Sequence, residues 1–287
     1  AKGIADRHCY ELESGLYFDV STVADYGRLA RAQTEEGEGR IEAVEGKRNA
    51  ADFAIWRKTP AGESRQMEWD SPWGRGAPGW HLECSVMSGE VLDFPFDIHT
   101  GGIDHREIHH PNEIAQNQAH CCADGLEVAE NSGARIWMHN NFLVERTGKM
   151  SKSAGEFLRL QTIVDRGYHP LAYRMLCLQA HYRSELEFSW EGLQAALVRL
   201  KRLVMTVEKL RADAETGQTA PQGLEQVRSQ LETFEGALSQ DLNTAEALLW
   251  LETLTTLKVI DPVRKYAAIR KMDGVLGLDL ATIARAD

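Results

Sequence analysis

The chain has 287 residues, 43% hydrophobic and 26% charged, with a formal net charge of −11. That length gives room for a sizeable core and about two domains. The acidic balance excludes a general nucleic-acid binder with a dominant basic face, and no segment has the length and apolarity of a membrane span.

In chain order, residues 9–12 and 16–20 flank Glu13-Ser14-Gly15 and predict a strand, a turn and a strand. Residues 31–48 are charged, glycine-containing and poor in apolar side chains, so a weakly ordered loop is expected there. A buried pattern returns at 52–56, and a turn-rich stretch at 71–78 leads into the segment 80–84. Residues 94–98 read as a strand ending at His99, after which Gly101-Gly102 lets the backbone approach a ligand closely. A helix is expected over 112–122 and a strand over 136–144. Functional residues gathered beyond strand ends are what an open parallel α/β sheet predicts.

From about residue 189 the pattern changes. Leu193, Leu197, Leu200, Val204, Val207 and Leu210 recur at steps of three or four, the stripe of an amphipathic helix. A polar linker follows at 213–223, then a second helix over 224–238. Asn243 with Glu246 makes a capping-box-like start for a third helix to 259, and a fourth runs from Pro262 to Leu276. Such stripes pack on one another as a bundle. The fold class is therefore α/β followed by an α-helical bundle.

The five cysteines (9, 84, 121, 122 and 177) are odd in number and lack disulfide spacing, which predicts reduced thiols and a cytoplasmic setting. Cys121 and Cys122 read as buried thiols on a helix tail rather than as metal ligands. No signal peptide begins at Ala1. Arg199, Lys201, Arg202, Lys209 and Arg211, echoed by Arg264, Lys265, Arg270 and Lys271, read as solvated helix faces. Contacts to an RNA backbone are the other reading of these basic residues.

Two groups of residues carry chemistry. Lys149-Met150-Ser151-Lys152-Ser153 follows Arg146-Thr147-Gly148, which reads as a turn. Two ammonium groups and two hydroxyls on a loop suit the triphosphate of ATP, whereas a lone KxxK pair would be a surface loop. The second group is Cys84 in Gly79-Trp80-His81-Leu82-Glu83-Cys84-Ser85, with His109 and Glu113 further on. His109 and Glu113 are four apart, so on a helix both side chains reach one ion. Thiolate, imidazole and carboxylate form a set that zinc accepts, and three protein ligands leave a position open for substrate.

The intact pentapeptide is the signature loop of class I aminoacyl-tRNA synthetases. Together GWHLECS, FDIHTGGID (96–104), HHPNEIAQ (109–116) and Trp137-Met138-His139-Asn140 resemble the cysteinyl-tRNA synthetase family, in order, over almost the whole chain. The resemblance implies the C-terminal half of a Rossmann-like catalytic domain, followed by the family's helical domain. It implies zinc on Cys84, His109 and Glu113, which takes the thiolate of substrate cysteine directly. Trp80 is expected to pack over the bound amino acid, and His99 and Asp104 to line the cysteine and adenylate pocket. Lys149 and Lys152 are expected to be catalytic, binding ATP (with magnesium) together with Ser151, Ser153 and Asp104. The domains expected are a connective region at 1–70, the catalytic half at 71–160, a stem at 161–190 and the bundle at 191–287.

Departures from the family pattern are equally visible. The His-Ile-Gly-His motif and the fourth zinc cysteine are missing, Cys9 standing in another context, and the family's anticodon-binding domain is not represented. Thr100 replaces a glycine and Pro111 a glutamate; proline is harmless in the first turn of a helix. The implied activity is cysteine–tRNA ligation with tRNA(Cys), cysteine and ATP as partners and a complementary N-terminal segment completing the ATP site. The alternatives are a cysteine ligase acting on an amine or amino-sugar, and a non-catalytic truncated chain.

Overall fold

The computed structural model describes residues 1–30, 44–121, 128–145, 148–149, 159–217 and 223–284. The chain divides into two compact units, residues 1–140 and 141–287.

The first unit begins with α1 (Lys2–His8) and an antiparallel sheet in the order β1 (Cys9–Leu12), β2 (Gly15–Phe18), β3 (Phe53–Lys58), β4 (Gly76–Pro78). The expected strand, turn and strand are β1 and β2, paired Leu12 to Gly15 across the turn. Of the expected loop, residues 31–43 lie outside the described residues. The sheet is apolar on the side facing the helices. Phe18 and Ile55 are fully buried, and Phe18 stacks on Phe53 at 5.0 Å. Ile4 of α1 and Leu82, Ala115 and Ala119 of the next helices complete this core. The pattern at 52–56 starts on a buried carboxylate: Asp52 accepts from the Tyr10 hydroxyl (2.7 Å), Val20 N (3.0 Å) and Asn49 N (2.9 Å).

Next come α2 (Trp80–Leu92), β5 (Phe96–Gly102), a 3-10 turn Ile103–Arg106, α3 (His109–Cys121), α4 (Ala129–Ser132) and β6 (Ala134–Asn140). β5 and β6 pair in parallel, with His99 opposite Trp137 and Gly101 opposite His139. The strand expected to end at His99 continues through Gly102 because its ladder with β6 continues to Asn140. The expected helix begins at His109 rather than 112, with Pro111 in its first turn where a missing N–H costs little. The expectation for Cys121 is corrected: it lies exposed at the end of α3, its thiol directed to Glu130 O at 3.7 Å, because the helix ends there. Cys122 lies outside the described residues.

In the second unit β7 (Leu143–Glu145) pairs with β8 (Gly148–Lys149) and with β9 (Leu186–Glu187). The single strand expected over 136–144 is thus two, parted where the Asn141 side chain accepts from Phe142 N at 2.8 Å. Lys149 belongs to β8, its backbone paired with Val144, and not to a free loop. Arg146, Thr147 and residues 150–158 lie outside the described residues.

The rest is helical: α5 (Leu160–Asp165), α6 (Pro170–Leu178), α7 (Trp190–Thr216), α8 (Leu224–Ser239), α9 (Thr244–Thr256) and α10 (Pro262–Leu276). The stripe on α7 is buried, with Leu193 fully so, against Leu248, Leu251, Leu254, Ile269 and Met272. Helix starts follow the capping rules. Ser189 Oγ accepts from Gly192 N, Asn243 Oδ1 from Glu246 N and Asp261 Oδ1 from Arg264 N. α7 runs to Thr216, so the expected linker starts later; its residues 218–222 lie outside the described ones.

The basic residues are not all solvated, as had been expected. Arg199 makes a fork to Glu252 at 2.6 and 2.9 Å, Arg211 donates to Ala281 O, and Lys265 is 8% exposed beside Thr255 O. Asp273, also buried, accepts from Leu278 N and Leu280 N, each at 2.8 Å, and ties the tail to α10. Asp273→Ala leaves two buried N–H groups without acceptors, so a loss of about 2–4 kcal/mol is expected in equilibrium denaturant unfolding. A loss below about 0.5 kcal/mol would remove Asp273 from this role.

Candidate metal centre

The first unit brings Cys84, His109 and Glu113 together: one ligand atom from each lies within 4.8 Å of the others. α2 supplies the thiol from its second turn, and α3 supplies imidazole and carboxylate one turn apart. The set is enclosed, with the Glu113 side chain 1% exposed. Burial first, then the Glu113 and Glu83 carboxylates, pushes the Cys84 thiol up to about 11. The protein groups alone thus keep it a neutral thiol at pH 7; a cation beside it is what makes a thiolate.

The carboxylate bears on whether a cation fits. Glu113 Oε1 is 2.9 Å from His109 Nε2, yet it is buried without a hydrogen-bond partner among the described residues. His109 Nδ1 lies 2.7 Å from His81 Nδ1, and burial lowers His81 to about 3, so that ring stays neutral. The 2.9 Å contact is not aligned as a hydrogen bond, and in the tautomer with the shared proton on His109 Nδ1 the Nε2 lone pair is available to a cation beside the carboxylate. Soft thiolate, borderline imidazole and hard carboxylate are together a set for zinc, and the residues fit it. His81 then acts on the ligand's outer nitrogen, holding the ring orientation.

Around this trio stands a cage of rings. Trp80, 60% exposed, packs on His109 at 4.6 Å and meets His105 edge-on at 5.5 Å. His99 stacks on Trp137 at 4.5 Å and lies 3.5 Å from Glu113 Oε2. His110 contacts His99, Trp137 and His139 with centroids 4.7, 4.8 and 4.8 Å away. Burial is the main cause lowering His99, His139 and His110, the last to about 2. Asp104 sits on the 3-10 turn following β5, its Oδ1 beside Gly102, where a Cβ would be 2.5 Å away. Trp80 and His81 also line a cavity of about 520 Å³ with Tyr17, Phe53, Arg57 and Asn112, a volume within the range of small-molecule sites.

Of the residues singled out in the sequence, Cys84, His109, Glu113, His99 and Trp80 share one neighbourhood, linked by these contacts. The Lys149 side chain and Ser151, Lys152 and Ser153 lie outside the described residues. Sequence reasoning passed over His81, His105, His110, His139 and Trp137 as site residues. The signal available was density: seven of the ten histidines fall between 81 and 139, and all of these but His120 stand at the site.

A family model described as tRNA synthetases class I (C) catalytic domain matches residues 1–198. A cysteine–tRNA ligase of Novosphingobium aromaticivorans is 74% identical over 285 residues, spanning 99% of this chain and 57% of that protein. One from Zymomonas mobilis is 51% identical, spanning 96% of this chain and 58% of that protein. The chain spans little more than half the length of these curated relatives. Among solved structures, the LeuRS of Agrobacterium radiobacter K84, in a ternary complex with tRNA and LeuAMS, superposes with a TM-score of 0.56. It is 15% identical and covers 75% of this chain and 32% of its own, a likeness of fold alone. For the centre itself, Cys84→Ser is expected to weaken zinc binding by at least about tenfold, with the far-ultraviolet dichroism unchanged. Competition with a chromophoric chelator measures it, and unchanged affinity would remove Cys84 from the ligand set.

Proposed function

The chain belongs to the family of class I (C) tRNA synthetase catalytic domains, and on that premise we propose that it takes part in ATP-dependent activation of cysteine and its ligation to tRNA(Cys). The observation carrying this reading is the buried convergence of Cys84, His109 and Glu113, with Glu113 Oε1 left without a hydrogen-bond partner among the described residues. Curated relatives at 74% and 51% identity bear the name cysteine–tRNA ligase, which supports it.

In this reading Cys84, His109 and Glu113 hold zinc with a position open for the substrate. Bound there, zinc supplies a soft Lewis acid that favours a thiol over serine's harder hydroxyl, so selection needs no editing site. The chain's own groups do the remaining work. His81 orients His109, Trp80 covers one side of the substrate amino acid, and His99 and Asp104 line the space for its adenylate. Lys149 and Lys152, with Ser151 and Ser153, hold the triphosphate of ATP and its magnesium and offset the charge that develops on the phosphates. The substrate carboxylate attacks the α-phosphate and pyrophosphate leaves; the terminal ribose hydroxyl of tRNA then takes the cysteinyl group and AMP leaves. A complementary segment bearing His-Ile-Gly-His completes the ATP site from the opposite side. Residues 71–160 contribute the catalytic half and 191–287 support tRNA, and the setting is the cytoplasm. No helix among the described residues is long and apolar enough to cross a membrane.

The test is cysteine-dependent exchange of pyrophosphate into ATP with the complementary segment present, followed by transfer to tRNA or to amine and amino-sugar acceptors. Exchange with transfer to tRNA supports the proposal. Transfer to amines alone replaces it with an amine ligase, and ATP bound without exchange leaves a non-catalytic chain. Lys152→Ala is expected to slow exchange about a hundredfold, by comparison with the loss of one preorganised donor. An unchanged rate would take Lys152 out of the mechanism.

A further inference from the structure

We propose that Glu113 bridges to a second cation position, formed with His99 and His110, beside the one it forms with Cys84 and His109. The two triples share only this carboxylate, and the ligand atoms of each lie within 4.8 Å of one another. The two oxygens are divided between them: Oε1 is 2.9 Å from His109 Nε2, and Oε2 is 3.5 Å from His99 Nε2. A carboxylate shared in this way spans two divalent ions about 3.5–4 Å apart, the usual spacing of two-metal sites.

The imidazoles are prepared alike. His109 is held through Nδ1 by His81 at 2.7 Å, and His110 through Nδ1 by His139 Nε2 at 2.8 Å. An Nδ1–H donated outward leaves the Nε2 lone pair of His110 for a metal, as in ligating histidines generally. Room for the ion depends on residue 101 being glycine. A Cβ there would lie 2.8 Å from His110 Nε2 and 2.7 Å from its Cε1. The same Cβ would lie 2.9 Å from His105 Nδ1, and His99, two residues back on β5, shares the face of the strand on which the space opens.

Two imidazoles and one carboxylate, without sulfur, take a borderline first-row divalent ion in preference to magnesium or calcium. The positions left open on that ion suit nitrogen or oxygen donors of a small substrate, where the neighbouring position suits sulfur. The inference goes beyond the proposed activity and shares Glu113 and His99 with it.

Cobalt(II) titrated into the chelator-stripped full chain tests it. Two equivalents are expected, one with a sulfur-to-cobalt charge-transfer band in the near ultraviolet and one with visible d–d bands only. Cys84→Ser is expected to remove the charge-transfer band and keep one equivalent. His110→Ala is expected to keep the band and one equivalent, and Glu113→Ala to lose both. Should His110→Ala fail to fold by circular dichroism, Gly101→Ala decides, since it retains every ligand and only fills the opening; it too is expected to leave one sulfur-bound ion. A native chain that saturates at one equivalent, with the charge-transfer band tracking all binding, overturns the proposal, as do two equivalents retained by Gly101→Ala. Nitrogen-type binding without any charge transfer in the native chain would instead remove the Cys84 centre and leave this one standing.

Discussion

A helix buried on all sides normally carries mostly apolar residues, and α3 carries few, Ile114, Ala115 and Ala119 among them. His109, His110, Asn112, Glu113, Gln116, Asn117 and Gln118 are all nearly inaccessible to solvent. Burying such groups is costly unless each finds a partner, and that constraint organises the first unit. Asn112 accepts from the Tyr26 hydroxyl, Gln116 donates to Ser85 Oγ and His81 O, and Asn117 donates to Ser132 O. These bonds lock α2, the approach to β6 and the loop after β2 onto one helix. Among the described residues Glu113 Oε1 is left without a hydrogen-bond partner, as are Gln116 Oε1, both side-chain polar atoms of Gln118 and Trp137 Nε1; what sets Glu113 apart is that Cys84 and His109 converge on it.

Much of this was legible in the residues, for physical reasons. Among the four long helices of the bundle, α7 was legible in its stripe at steps of three or four and α9 in the Asn243 cap, while the caps at Ser189 and Asp261 were seen only in the fold. The pair His109 and Glu113 was legible because helical spacing alone puts both on one face. α2 was not, since Trp80–Leu92 carries apolar residues all round, with Val86, Met87 and Val91 exposed, and no periodicity announces it. The ring cage was not legible either. Its members come from α2, β5, the 3-10 turn, α3 and β6, and only tertiary pairing brings them together. Composition also misled: Lys265 reads as surface charge but is turned inward, its ammonium within 3.3 Å of a backbone carbonyl.

The two units rest on different physics. The second holds together by apolar side chains interdigitating between helices, with polar groups used at helix ends and at Asp273. The first invests its interior in hydrogen bonds and stacked rings, a costlier core that fixes directions more narrowly. Such a core suits a site in which the position of one lone pair decides whether a cation is held.

The parallel ladder between β5 and β6 also indexes the rings. His99 pairs with Trp137 and Gly101 with His139, all projecting toward α3 because side chains alternate along a strand. Slippage by a single residue would invert that alternation, sending an indole and an imidazole outward and bringing Met138 and Ile136 in against the carboxylate. Substitutions that loosen the strand ends, at Phe96 or Asn140, thereby act on the chemistry without touching it. Keeping the ligand set in place in this region is a matter of strand alignment as much as of ligand identity.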